Sequence, residues 1–135
     1  GYNVYVDSED IQNSDEFIWG RYVETRLNLD IFQAENLIPI FATWDDHDYG
    51  VDDGGEDFNF KSSVQRTFKA FFGSEESAGL RNGPGVSNLF SGFGQRFVLL
   101  DGRSFKSKYN PDQQWGSEQE NWLSQVLPAD STEPT

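Results

Sequence analysis

Residues 37–44, Leu-Ile-Pro-Ile-Phe-Ala-Thr-Trp, form an apolar run that ends in Asp45-Asp46-His47-Asp48-Tyr49-Gly50. This junction constrains the chain more than any other stretch. The run reads as a buried strand, and Pro39 near its start sits where a missing amide is tolerated. The next residues set three carboxylates around the single histidine. Open α/β folds collect function at the C-terminal ends of strands. Asp offers anionic oxygen and His neutral nitrogen, so such a cluster can bind a metal. An Asp-rich turn at a strand end accounts for the same residues, and spacing alone leaves both readings open.

A chain of 135 residues supports one core. Apolar residues make up only 36%, but 12 Phe, 4 Trp and 5 Tyr can fill a core with few side chains. With 10 basic against 23 acidic residues, the formal charge is −13. That balance argues against general binding to a nucleic-acid backbone. It also repels an anionic substrate at long range unless bound cations invert the local field. There is no cysteine, so disulfides and thiolate ligands are excluded. No apolar run is long enough to cross a membrane.

Residues 1–6 alternate and read as a strand stub, followed by an acidic loop over 7–15. Ser14 or Asp15 caps the next helix. From residue 16 to about 32, Ile18, Tyr22, Leu29 and Phe32 recur at helical spacing, with Phe17, Trp19 and Val23 broadening the apolar face. After the acidic cluster, residues 51–57 read as a solvated acidic loop: Asp52, Asp53, Glu56 and Asp57 suit calcium in composition but lack EF-hand spacing. Residues 58–72 turn helical with the stripe Val64, Phe68, Phe71 and Phe72, and Gly73 stops the helix. Residues 74–85 read as a flexible Gly/Ser/Glu segment. Residues 86–90 and 95–100 are apolar runs joined by Ser91-Gly92-Phe93-Gly94, a hairpin. Asp101 and Arg103 follow, and Arg103 either clamps phosphate bidentately or pairs with Asp101. Lys106, Lys108 and Tyr109 continue a basic patch that guides phosphate or holds an acidic loop. Ser117 with Glu120 fits a capping box. Trp122, Leu123, Val126 and Leu127 give that helix an apolar face, Pro128 ends it, and 129–135 is a polar tail.

Several of these motifs, taken in order, resemble one family. Trp44 to Tyr49 looks like the central motif of the PhoD-like alkaline phosphatases, a branch of the calcineurin-like metallophosphatases. The likeness extends to Gly1 to Tyr5, Arg21-Tyr22-Val23-Glu24, Leu37-Ile38-Pro39, Leu100-Asp101-Gly102-Arg103-Ser104 and Gly116-Ser117-Glu118-Gln119. The resemblance implies an α/β layered fold of metallophosphatase type. Its mixed sheet would be covered by helices near residues 16–33, 61–72 and 117–127. Residues 1–135 would then be a fragment of one such domain, with a further strand and late Asn and His metal motifs beyond the last helix.

The resemblance also implies a function: metal-dependent hydrolysis of phosphate mono- or diesters, with calcium and iron as candidate metals, in an extracellular or periplasmic protein. Asp46 matches a metal ligand and Tyr5 the tyrosine that ligates iron in relatives. Asp45 is a further candidate ligand, or with Asp48 it orients His47. His47 matches the histidine beside the scissile phosphate, where imidazole can contact a phosphoryl oxygen or protonate the leaving oxygen. Arg103 would balance transition-state charge. Tyr2 stands where the family carries a metal-bridging Asp, and a phenol cannot simply replace that carboxylate. A non-catalytic binding module with a degenerate site, or a structural subunit of an assembly, is therefore the alternative. Missing outer strands would leave sheet edges for other chains, or a second copy, to complete.

Overall fold

The structure is a computed structural model that describes residues 3–6, 15–36, 39–73 and 80–127. The expectations for Gly1, Tyr2, the 7–14 loop, the Ser14 cap, Leu37-Ile38, residues 74–79, Pro128 and the tail lie outside the described residues.

Three helices appear where periodicity places them. Helix α1, Asp15–Asn28, buries Ile18 and Tyr22 one turn apart. It stops short of the expected residue 32. The Asn28 side-chain amide donates to the Glu24 carbonyl, and a 3₁₀ turn, Asp30–Phe32, follows. Phe17, Trp19 and Val23, read as part of the apolar face, are exposed. A four-residue helix, α2, covers Asp46–Tyr49. Helix α3, Lys61–Phe72, buries Val64, Thr67, Phe68 and Phe71, positions that share one face at 3.6 residues per turn. Gly73 ends it in the left-handed conformation, φ 63°, that favours glycine.

Helices α1 and α3 pack through aromatic rings. Tyr22 stacks on Phe71 with centroids 4.9 Å apart, and Trp19 meets Phe71 edge-on at 5.3 Å. The Arg26 guanidinium lies 4.1 Å above the Phe71 ring. Trp44 continues the cluster against Phe68 at 5.2 Å and Tyr49 at 5.1 Å. Val4, Val6 and Val86 close it. Each fully buried side chain of the Phe68 kind contributes about 1.5–3 kcal/mol through the area it removes from water.

Strands β1 (Leu80–Asn82), β2 (Asn88–Gly92) and β3 (Gln95–Leu99) form an antiparallel sheet in the order β1-β2-β3. The expected hairpin is present, in the register Leu89 to Val98 and Gly92 to Gln95. Its turn rests on Phe93 and Gly94, both at positive φ (55° and 73°), which matches the twist of the flanking strands. Three corrections belong here. The expected mixed sheet is antiparallel among the described residues. Leu80–Asn82, read as part of a flexible segment, is a strand, because Arg81 pairs with Leu89. The expected strand over residues 37–44 has no strand pairing in its described part, residues 39–44. Side chains meet its backbone instead: Asn3 Nδ2 donates to the Thr43 carbonyl at 3.3 Å and Asn88 Nδ2 to the Ala42 carbonyl at 3.5 Å.

Helix α4, Gly116–Val126, is the third expected helix. Its cap differs from the expected box: Trp115 is the N-cap, no side chain caps it, and Ser117 already lies inside the helix. Trp122 presses on Gly83, where a Cβ would collide with the indole. Arg96 Nη1 donates to the Val126 carbonyl at 3.0 Å and ties the helix to β3. No helix of the described residues is long and apolar enough to cross a membrane.

Candidate metal centre

Two buried acids fix the loop that carries the histidine. Asp101 is fully buried after β3 and accepts four donors. Its Oδ1 takes the Trp44 indole N–H at 2.7 Å and the amides of Arg103 (3.0 Å) and Ser104 (2.9 Å). Its Oδ2 takes the Val86 amide at 3.0 Å. Gln119 of α4 grips the same residue through its backbone, accepting the Asp101 amide at 2.8 Å and donating to its carbonyl at 3.0 Å. A buried carboxylate is tolerated only with such satisfaction. Asp101 therefore joins residues 44, 86 and 101–104 around one point.

Asp48 performs the second junction. Its Oδ1 accepts the amides of Asn3 (2.8 Å) and Val4 (2.7 Å), and its Oδ2 accepts the Asp45 amide at 3.1 Å. Burial raises its pKa above the ordinary carboxylate value although these bonds oppose the shift. Asp45 and Asp48 form a reciprocal capping box around α2. Through Asp48, residues 3–6 are drawn beneath the cluster. There Tyr5 stacks on the His47 ring at 3.6 Å, and His47 Nδ1 lies 3.3 Å from the Val6 carbonyl oxygen. A carbonyl only accepts, so this contact selects the Nδ1–H tautomer. The expectation that Asp45 or Asp48 orients His47 is thus corrected: the backbone of Val6 and the ring of Tyr5 do so.

The structure brings Asp46, His47 and Asp52 together, with one candidate ligand atom of each inside 4.8 Å of the others. His47 Nε2 stands 3.8 Å from Asp52 Oδ1. That is too long for a hydrogen bond. Two ligands of one tetrahedral zinc-like ion lie about 3.4 Å apart. Asp46 Oδ1 accepts the His47 amide at 3.0 Å and Oδ2 the Asp53 amide at 3.0 Å. Burial alone would raise the Asp46 pKa. The Asp53 amide, the Arg103 charge and the His47 amide outweigh it and hold the carboxyl below its usual value. Asp46 is thus kept ionised, as a metal ligand must be. Two carboxylates and an imidazole suit a divalent cation of borderline hardness and leave coordination positions open, so the residues present fit the group.

Asp45 stands apart from this set. Arg103 Nε donates to its Oδ1 at 2.8 Å, and Nη2 binds the same oxygen. Arg103 also reaches Asp53 at 3.2 Å and Asp46 at 3.7 Å. Partial burial opposes its charge, but Asp45, Asp46 and Asp53 raise the guanidinium pKa further. Arg103 does not pair with the Asp101 side chain; that carboxylate takes the Arg103 backbone amide. Lys106 binds Asp53 and helps hold Asp53 below the usual carboxylate range, so this member of the basic patch holds the acidic loop. Asp52 was not separable from its acidic neighbours by spacing, because only the left-handed turn at Gly50, φ 123°, returns it to the histidine.

Comparison of the whole chain with protein-family models, curated proteins and solved structures finds no match in any of the three.

Proposed function

We propose that the Asp46–His47–Asp52 cluster holds a divalent cation and serves hydrolysis of a phosphate ester, in line with the resemblance to PhoD-like phosphatases. The observation that carries this reading is the 3.8 Å gap between His47 Nε2 and Asp52 Oδ1. In the Nδ1–H tautomer, Nε2 bears a lone pair facing anionic oxygens. That separation is one that two ligands of a single cation can span, and Asp46 adds a third candidate ligand atom within 4.8 Å.

A bound cation would supply Lewis acidity toward a phosphoryl oxygen. The chain's own residues do the rest. Asp46 and Asp52 contribute anionic donors. His47 gives Nε2 as a ligand, and the expectation of a proton donor gives way to that role. Tyr5 and the Val6 carbonyl keep its ring in one orientation. Arg103 reaches a phosphate by exchanging Asp53, which is 74% exposed, while keeping its fork on Asp45. The net charge of −13 makes that local positive charge necessary for an anionic substrate. Calcium or iron as the metal, and an extracellular or periplasmic setting, belong to the same proposal. So does completion of the sheet by further chain or a second copy, since among the described residues β1 and β3 are its two edges.

The test combines zinc, manganese, calcium and iron titrations with hydrolysis of phosphate mono- and diesters, on this chain and on any longer protein containing it. His47→Ala should lower metal stoichiometry and turnover together. Tyr2→Asp, which restores the family carboxylate, should raise occupancy. Unchanged metal content and rates in both variants would support a binding module or structural subunit instead.

A further inference from the structure

A cleft of about 630 Å³ opens between the 51–60 loop and the 106–114 loop. Asp52 belongs both to its wall and to the acidic-histidine cluster, so the two are continuous. Its lining also includes Phe58, Phe60 and Pro111, together with Lys106 and Lys108. Phe58 and Phe60 meet edge-on at 6.0 Å, and Phe58 leans on buried Tyr49 at 5.2 Å. Phe60 nevertheless remains 40% exposed.

The wall is built rather than collapsed. Tyr49 donates its hydroxyl to the Gly55 carbonyl at 2.8 Å, and the Glu56 amide donates to the Lys106 carbonyl at 2.9 Å. A Cβ at Gly55 would fall on that Lys106 oxygen, so only glycine lets the two loops approach. Lys106 neutralises Asp53, Asp57 and Lys108 add one charge of each sign, and Asp52 is the remaining carboxylate, shared with the acidic-histidine cluster. The volume lies in the range of small-molecule sites, and within a lining that is otherwise rich in polar and charged side chains the Phe58 and Phe60 rings with Pro111 offer an apolar face that suits a flat ring.

We infer that this cleft receives an aromatic leaving group, so that the substrates are phosphate esters of phenols or similar ring-bearing alcohols. The inference rests on the hydrolysis reading, which places the phosphate beside Asp52 and directs the rest of the ester past it. Phenylphosphonate and methylphosphonate, which cannot be hydrolysed, serve as probes in the presence of zinc, with binding read from backbone amide NMR shifts. Phenylphosphonate should bind about tenfold more tightly than methylphosphonate, the scale of one added aromatic contact, and should move the Phe58, Phe60 and Lys108 amides. Phe60→Ala should remove the tenfold preference, and Phe60→Tyr should retain it with the same fold.

Phenol alone distinguishes the two readings. If phenol shifts the Phe58 and Phe60 amides of the parent but not of Phe60→Ala, while neither phosphonate binds, the phosphate reading fails and the ring site stands. Binding of both phosphonates with equal, measurable affinity, or no shift at Phe58 and Phe60 with either phenol or phenylphosphonate, overturns the inference whatever hydrolysis is measured.

Discussion

Arg103 Nε donates to Asp45 Oδ1 at 2.8 Å across 58 residues of sequence, and the same guanidinium stands 3.7 Å from Asp46 Oδ2. One side chain therefore clamps the residue that caps α2 and opposes a cation at the next residue. Arg103→Ala should have two separable effects. Loss of charge-assisted bonds to Asp45 should cost about 1–2 kcal/mol, kept low because Asp45 is 37% exposed. Removal of the positive charge should tighten zinc binding on the order of fivefold. Arg103→Lys retains the charge but not the fork, so it should lose stability with zinc affinity near that of the parent. Urea unfolding and calorimetric zinc titration read the two effects. Unchanged zinc affinity in Arg103→Ala would refute the electrostatic part.

Asp101 should matter more for stability than any residue of the metal cluster. Asp101→Ala strands the Trp44 indole and the amides of Val86, Arg103 and Ser104. Several of these donors are buried, so the loss should reach about 3–5 kcal/mol. Asp101→Asn can keep Oδ1 for three of the four and disappoint only Val86, which should cost about 1–3 kcal/mol. Equal losses in the two variants, measured by denaturant unfolding, would mean that the charge and not the acceptor geometry is what matters.

The contrast between Asp101 and the Asp46–His47–Asp52 cluster explains what the sequence alone makes legible. Val64, Phe68 and Phe71 announce α3 because burial on one helical face leaves a period in the sequence. Phe93-Gly94 lies in a hairpin that its flanking apolar runs mark out. Asp46 and His47 stand next to each other and were legible as a pair. Asp52 was not, since its approach depends on a loop conformation that leaves no period. The roles of Asp101 and Asp48 were also hidden: a carboxylate that accepts distant backbone amides looks, in sequence, like any acid in a turn. The run ending at Trp44 suggested a strand because it is apolar, but hydrophobicity reports burial, not whether a neighbouring backbone is there to pair with it.

Asp46 should shape the acid side of the stability curve. Its folded-state pKa lies below the ordinary 3.8, since amide donors and Arg103 outweigh burial. A depressed carboxyl contributes stability that is present above 3.8 and lost as pH falls through the folded-state value. Asp48 acts in the opposite sense. Its raised pKa means that the folded chain takes up a proton first, so its contribution declines as pH rises past 3.8. In chelator, to exclude metals, Asp46→Asn should therefore lose less stability than the parent between pH 5 and pH 3. Parallel curves for the two proteins, from urea unfolding at each pH, would contradict the depressed value.

Asp45 and Asp52 permit a test of coordination against mere negative charge. Each substitution to Ala removes one carboxylate from the same short stretch, so the two variants change net charge equally. Only Asp52 lies with Asp46 and His47 in the candidate ligand set, whereas Asp45 is spent on Arg103 and on the cap of α2. If the site coordinates a cation, Asp52→Ala should weaken zinc binding by about 10–100-fold, the scale seen when metal-site partners are removed. Asp45→Ala should leave zinc affinity within about threefold while lowering stability by about 2–3 kcal/mol, the loss of one helix cap together with the Arg103 bonds. If the cluster attracts cations only through its field, both variants should weaken zinc to the same degree, and the assignment of Asp52 as a ligand would be wrong. Calorimetric titration at two salt concentrations sharpens the distinction, because a diffuse field is screened by salt and a coordinate bond is far less so.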